Sequence, residues 1–133
     1  MSQTYQGGCH CRALRYEFSA ELDDVGHCHC SICRRSSGGI VVTWATIPRA
    51  SFRWLQGEPA CYVSSPGNRR LFCGNCGAHL VFETERTPQS LDVTVATLDH
   101  PELAPPQRHI WVKGRIPWLH LDEQLPEEDE ETL

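Results

Sequence analysis

Cys73-Gly74-Asn75-Cys76-Gly77 and its partner Cys9-His10-Cys11 are the stretches whose joint reading decides the fold. In the first, glycine relieves a tight turn that points both sulfurs inward. In the second, residues i and i+2 of an extended segment face the same way, so both thiols reach one metal. Two such knuckles on either side of a long insert form a closed four-thiolate site. It ties distant parts of the chain together and contributes directly to folding free energy. Between them lies Cys28-His29-Cys30-Ser31-Ile32-Cys33, with three more thiols in six residues. Structural zinc takes four protein ligands, whereas catalytic zinc keeps one position for water or substrate. Four plus three predicts two zinc ions, one site closed and one open.

The fourth position at the trio has several candidates: water, a substrate thiol, Cys61, or a neighbouring histidine. Cys28 and Cys30 share a strand face, and Cys33 returns to them on a turn. The same alternation turns His27 and His29 away, so they read as surface or internally satisfied histidines. Cys61, in Ala60-Cys61-Tyr62-Val63, reads as a small buried side chain. On those readings the trio stays open, and an open position on zinc is where chemistry happens.

The rest of the chain reads as short strands. Leu14, Tyr16 and Phe18 alternate with Arg15 and Glu17, and Leu91, Val93 and Val95 alternate with Asp92 and Thr94. Ile40-Val41-Val42-Thr43-Trp44 is β-branched and aromatic after a Gly38-Gly39 break, the pattern of a buried strand. Shorter strands are expected at 61–64, 71–73, 80–83 and 109–112, with turns at 57–59, 64–68 and 105–106. One helical turn is expected over 31–36. The four tryptophans, Trp44, Trp54, Trp111 and Trp118, read as packing residues. The fold class is all-β, one small domain with little helix.

The chain has 133 residues, which fits one domain, and is 40% hydrophobic, enough for a small core that metal crosslinks would help hold. No apolar run approaches the roughly 18 residues of a membrane span. Met1-Ser2-Gln3-Thr4-Tyr5 lacks a basic start and an apolar stretch, so no export signal is read and a cytoplasmic location is expected. In that compartment eight cysteines argue for metal rather than disulfides. The net charge of −5 disfavours nucleic acid. Glu127-Glu128-Asp129-Glu130-Glu131 accounts for all five charges, and 123–133 reads as a flexible acidic tail after a domain of 3–122. Arg12, Arg34, Arg35, Arg69 and Arg70 lie near the cysteines and read mainly as neutralising anionic metal sites.

Gly8-Cys9-x-Cys11, Cys28-His29-Cys30-Ser31-x-Cys33-Arg34 and Arg70-x-Phe72-Cys73-x-x-Cys76-Gly77-x-x-Leu80 together resemble the glutathione-dependent formaldehyde-activating enzyme (GFA) family, whose domain is shared with centromere protein V. The likeness continues through Leu98-Asp99, His109-Ile110-Trp111-Val112 and Pro117-Trp118-Leu119. The resemblance implies a zinc-ribbon-containing fold of the β-tent type. It implies structural zinc on Cys9, Cys11, Cys73 and Cys76, and catalytic zinc on Cys28, Cys30 and Cys33. It also implies carbon–sulfur lyase chemistry, in which glutathione and formaldehyde give S-hydroxymethylglutathione.

Two further functional classes compete with that enzyme. One is a non-catalytic zinc-stabilised module that binds a protein or small molecule. The other is nucleic-acid binding, against which the acidic balance and the single lysine, Lys113, both count. The sequence assigns no oligomeric state.

Overall fold

The computed structural model describes residues 3–133; Met1 and Ser2, part of the stretch read for an export signal, lie outside the described residues. Ten strands and one short helix follow in the order β1 (Gln3–Gly8), β2 (Arg15–Ala20), β3 (Val25–Cys28), α1 (Ser31–Ser37), β4 (Val42–Pro48), β5 (Phe52–Gln56), β6 (Ala60–Ser65), β7 (Asn68–Phe72), β8 (His79–Thr84), β9 (Ser90–Thr94) and β10 (Arg108–Ile110). The all-β expectation holds. The strands form a three-stranded sheet, β1-β2-β5, and a seven-stranded sheet, β10-β3-β4-β9-β8-β7-β6. Every pairing is antiparallel except β10 with β3.

Alternation explains why the sheets face each other. Tyr16, Phe18 and Ala20 leave one face of β2, while Val25, Ala45, Ile47, Leu91, Val93 and Val81 leave one face of the large sheet, and all are buried in one cluster. Tyr16 is fully buried, stacks on Phe18 and Phe52, meets the edge of Trp54, and donates to or accepts from Thr97 Oγ1 at 2.8 Å. The close approach of Tyr16 is why residue 7 is glycine: a Cβ there would lie 2.4 Å from the phenol oxygen and 2.4 Å from the Thr97 carbonyl.

Several local expectations shift. The strand expected over 40–44 runs instead over Val42–Pro48, leaving Ile40 45% exposed. β10 stops at Ile110, because Trp111 takes a left-handed φ of 56°. Val95 belongs to a 3₁₀ turn rather than to β9. Cys61 is exposed on the outer strand of the large sheet, not buried. Trp44 is buried and Trp54 and Trp111 are half-buried, but Trp118 is 66% exposed and is not a packing residue.

The segment 123–133 differs most from the expected free tail. It lies along the outer edge of β10: His109 N–H donates to the Pro126 carbonyl at 2.8 Å and Glu128 N–H to the His109 carbonyl at 2.9 Å. Arg108 pairs with Glu128 and Glu131, Arg115 with Glu127, and Lys113 with Glu130. An unpaired strand edge and a basic run together give an acidic segment somewhere to bind.

Glu83 shows how charge is handled inside the large sheet. Its carboxylate is buried, which raises its pKa, but Arg69 at 2.5 Å and Arg49 at 2.9 Å donate to it, and the net pKa lies below the ordinary 4.5. A depressed carboxylate pKa stabilises the fold above the unfolded value and loses that contribution as pH falls through the folded one. Both arginines are well exposed, so Glu83→Gln should cost only about 1 kcal/mol at pH 7. Denaturant titration should show that difference beginning to shrink as the pH falls below 4.5 and vanishing once it passes below the folded pKa.

Candidate metal centres

The four-cysteine set is built by two turns. After β1 the chain reverses through Cys9–Arg12, with Arg12 N–H donating to the Cys9 carbonyl at 3.2 Å and Arg12 at a φ of 68°. Cys9 and Cys11 therefore converge from a turn, not from a strand face as expected. The second turn has Gly77 at a φ of 81° and Gly77 N–H on the Cys73 carbonyl at 2.8 Å. Amide N–H groups also point at sulfur: Leu14 at Cys9 Sγ, 3.3 Å, and Cys76 at Cys73 Sγ, 3.4 Å. The sulfurs of Cys9, Cys11, Cys73 and Cys76 all lie within 4.8 Å of one another.

The trio is assembled where β3 ends and α1 begins. Cys28 closes β3, Cys30 caps α1 with its sulfur accepting from Cys33 N–H at 3.4 Å, and Cys33 lies in the first turn of the helix. The three sulfurs again lie within 4.8 Å of one another. Cys30 thus meets Cys28 through a helix cap rather than by sharing a strand face. Gly114 packs on this corner, since a Cβ there would meet the His29 carbonyl oxygen at 2.6 Å.

Both donor sets fit zinc. Four thiolates about 2.3 Å from one ion in a tetrahedron are about 3.8 Å apart. Cys9–Cys11 and Cys11–Cys73 sulfurs are 3.6 Å apart, and Cys28–Cys33 sulfurs 3.5 Å. All eight cysteines are free thiols rather than disulfides. In the metal-free chain the trio's protons are unevenly held. Hydrogen bonds from Cys28 and Cys33 drive the Cys30 pKa far down, and those with Cys30 and Cys33 drive that of Cys28 up. A divalent cation removes that conflict by taking all three as thiolates.

Arg70 is the arginine that meets the trio. It is 4% exposed, places Nη1 and Nη2 3.5 and 3.6 Å from Cys33 Sγ, and lies 4.8 Å over the Phe82 ring. Arg34 instead donates to the Gly114 carbonyl, and Arg69 is committed to Glu83. The neutralising role expected of five arginines therefore falls, in the trio's case, on Arg70.

The histidines turn away from the sulfurs, as alternation requires. His27 bonds Thr43 Oγ1 and Asp122 Oδ2, each at 2.8 Å, and His29 Nε2 meets His109 Nδ1 at 2.9 Å. His109 in turn bonds the Asp122 carbonyl at 2.9 Å, giving a buried array of three rings. Burial holds the His29 pKa down at about 4, so this ring is neutral at pH 7. Sequence reasoning missed His109 and Asp122, because the contacts join residues far apart in the chain.

Cys28, Cys30 and Cys33 open onto a cavity of about 710 Å³, which none of Cys9, Cys11, Cys73 and Cys76 lines. It lies on the face of the large sheet opposite the core. Trp44 and Thr46 from β4, Phe82 from β8, Arg70 from β7 and Asp92 from β9 form its floor, and residues 131–133 form part of its rim. Asp92 is the polar residue that alternates with Leu91 and Val93. Burial raises its pKa to about 7, and its hydrogen-bond partner is Thr46 Oγ1 at 2.6 Å.

The family described as glutathione-dependent formaldehyde-activating enzyme matches residues 4–114. The chain belongs to that family. A Halomonas elongata protein that carries the family's name is 26% identical over 132 residues, covering 88% of this chain and 80% of that protein. An uncharacterized lyase of Schizosaccharomyces pombe is 31% identical over 86 residues, covering 59% of this chain and 56% of its own length. A Rhodobacter sphaeroides crystal structure shares the fold with a TM-score of 0.61 at 22% identity, over 92% of this chain and 98% of that one. Among the described residues no helix is long and apolar enough to cross a membrane.

Proposed function

We propose that the protein is a zinc enzyme of the carbon–sulfur lyase type, which joins a small thiol to an aldehyde or releases it from the adduct. Glutathione and formaldehyde are the pair the family's name supplies. The observation that carries this reading is that the three-cysteine set, and not the four-cysteine set, opens onto the cavity. Cys9, Cys11, Cys73 and Cys76 would hold one zinc and lock the two turns together. Cys28, Cys30 and Cys33 would hold the other, leaving the fourth position to the substrate's sulfur. When bound there, zinc supplies a thiolate at neutral pH and polarisation of a nearby carbonyl.

The chain's own residues prepare that site. Arg70 holds the sulfur of Cys33 and offsets the charge of three thiolates. Trp44 and Phe82 give the floor an apolar lining that strengthens electrostatic contacts by excluding water. The acidic balance disfavours nucleic acid as a partner, and we place the enzyme, with a zinc domain of 3–122, in the cytoplasm.

Metal content tests this reading. Protein purified without chelator should carry two zinc ions per chain by elemental analysis. One of them should leave readily to a chelator, and added glutathione should change its rate of loss. A reproducible single zinc, with the central thiols freely titrating, contradicts the assignment; two equally inert zincs favour a non-catalytic module.

A further inference from the structure

We propose that Asp92 receives the protonated amine of an aminothiol whose sulfur is held at Cys28, Cys30 and Cys33, so that the cavity selects peptide-like thiols with a free amine. This rests on the thiol reading above and adds to it the residue that recognises the amine.

Three observations place the amine there. First, Asp92 is the cavity's uncommitted carboxylate. Asp24 and Glu131, on the same wall, are both paired with Arg108 at 3.0 and 3.2 Å. Asp92 has only the Thr46 hydroxyl and, among the described residues, no ion pair. A carboxylate accepts up to about four hydrogen bonds, so most of its capacity faces the cavity. It also lies on β9, between β4 and β8 in the middle of the large sheet. An unpaired charge in that position costs folding free energy unless a ligand uses it.

Second, the neighbours suit a cation. Phe82 is the register partner of Asp92 on β8, and Trp44 lies two residues before its other partner, Thr46, on the same face of β4. The two rings are 6.0 Å apart, and aromatic faces beside a carboxylate stabilise an ammonium ion. Burial, with Glu131 and Asp24 nearby, raises the Asp92 pKa, a shift that a cation bound beside it would oppose.

Third, the cavity carries an independent mark of a polar ligand. Arg70, 96% buried by the 4% it exposes, lines the same wall and has a buried Nε–H with no partner. A donor beside the trio and an acceptor far from it give the slot a polarity that an amino-acid-like thiol would match.

The spacing sets the length of that thiol. Cys28 is opposite Val42 and Asp92 opposite Thr46, on either side of β4. Strand geometry of about 3.3 Å per residue and 4.8 Å per strand puts their Cα atoms about 16 Å apart. The cysteine and aspartate side chains, the metal–sulfur bonds and one hydrogen bond span most of that distance, and a short amino-acid-like thiol closes the rest.

Calorimetric titration of the zinc-loaded protein with glutathione and with N-acetylglutathione tests this, since the second keeps the thiol and both carboxylates and lacks only the cationic amine. A charge-assisted hydrogen bond predicts that glutathione binds about tenfold more tightly or better. In Asp92→Asn the two thiols should bind within about twofold of each other. Equal binding of both by the unaltered protein overturns the proposal, and so does a preference that survives Asp92→Asn in a folded variant. The comparison of the two thiols on the unaltered protein stands even if the variant misfolds. Binding of neither thiol contradicts the thiol reading itself, and the amine site falls with it.

Discussion

Cys73→Ala is expected to abolish cooperative folding. The residue is buried, its sulfur is 3.6 Å from that of Cys11 across the two turns, and its carbonyl holds the Gly77 amide. Removing one thiolate opens a site whose metal affinity counts as folding free energy, about 10–16 kcal/mol in small zinc peptides. Domains of this size have only about 5–15 kcal/mol of net stability, so even partial loss of that contribution unfolds the chain. Thermal unfolding followed by circular dichroism should show no transition, or one lowered by tens of degrees. A variant that melts within a few degrees of the parent would show that this set does not brace the fold.

Cys30→Ala should do the opposite: little to the fold, nearly everything to the chemistry. Cys30 is half-buried at the cap of a seven-residue helix, on the cavity side of the large sheet, away from the cluster formed by Tyr16, Phe18 and Val93. Losing a cap costs about 1 kcal/mol. Two remaining thiolates are too few to hold zinc against solvent, so one metal per chain should be lost. Proton NMR of glutathione and formaldehyde mixtures should then give initial rates equal to the zinc-free background. If Cys30→Ala and Cys73→Ala unfold the protein alike, the trio is structural and the enzymatic reading loses its basis.

How much of this was legible in the sequence follows from the range of each interaction. The alternation at Leu14–Phe18 and Leu91–Val93 set strands in place because one face of each is core and the period shows it. β1, β3 and β5 escaped notice. β1 is polar at the edge of the small sheet, and β3 is four residues buried throughout, so neither alternates. The two cysteine sets were legible because residues that can share a metal cluster locally. The way they converge was not, since Cys9–Cys11 and Cys28–Cys30 meet through a turn and a helix cap. Asp92 was legible only as the polar partner in an alternating strand; that the sheet's second face is the cavity floor is revealed only by the pairing of β4, β9 and β8. The docked acidic segment had a signal in Arg108, Lys113 and Arg115, whose charges match Glu127, Glu128, Glu130 and Glu131. Nothing local said that β10 would be an open edge.

The central claim is that the trio offers an open coordination position to an incoming thiol. Cobalt substituted for zinc at the trio reports this directly, because its visible spectrum depends on ligand type and number. Adding glutathione should shift the spectrum saturably, as soft sulfur enters the fourth position, and the shift should be absent in Cys33→Ala. A cobalt spectrum that stays unchanged with every small thiol would contradict the claim and leave both metals as braces for the β scaffold.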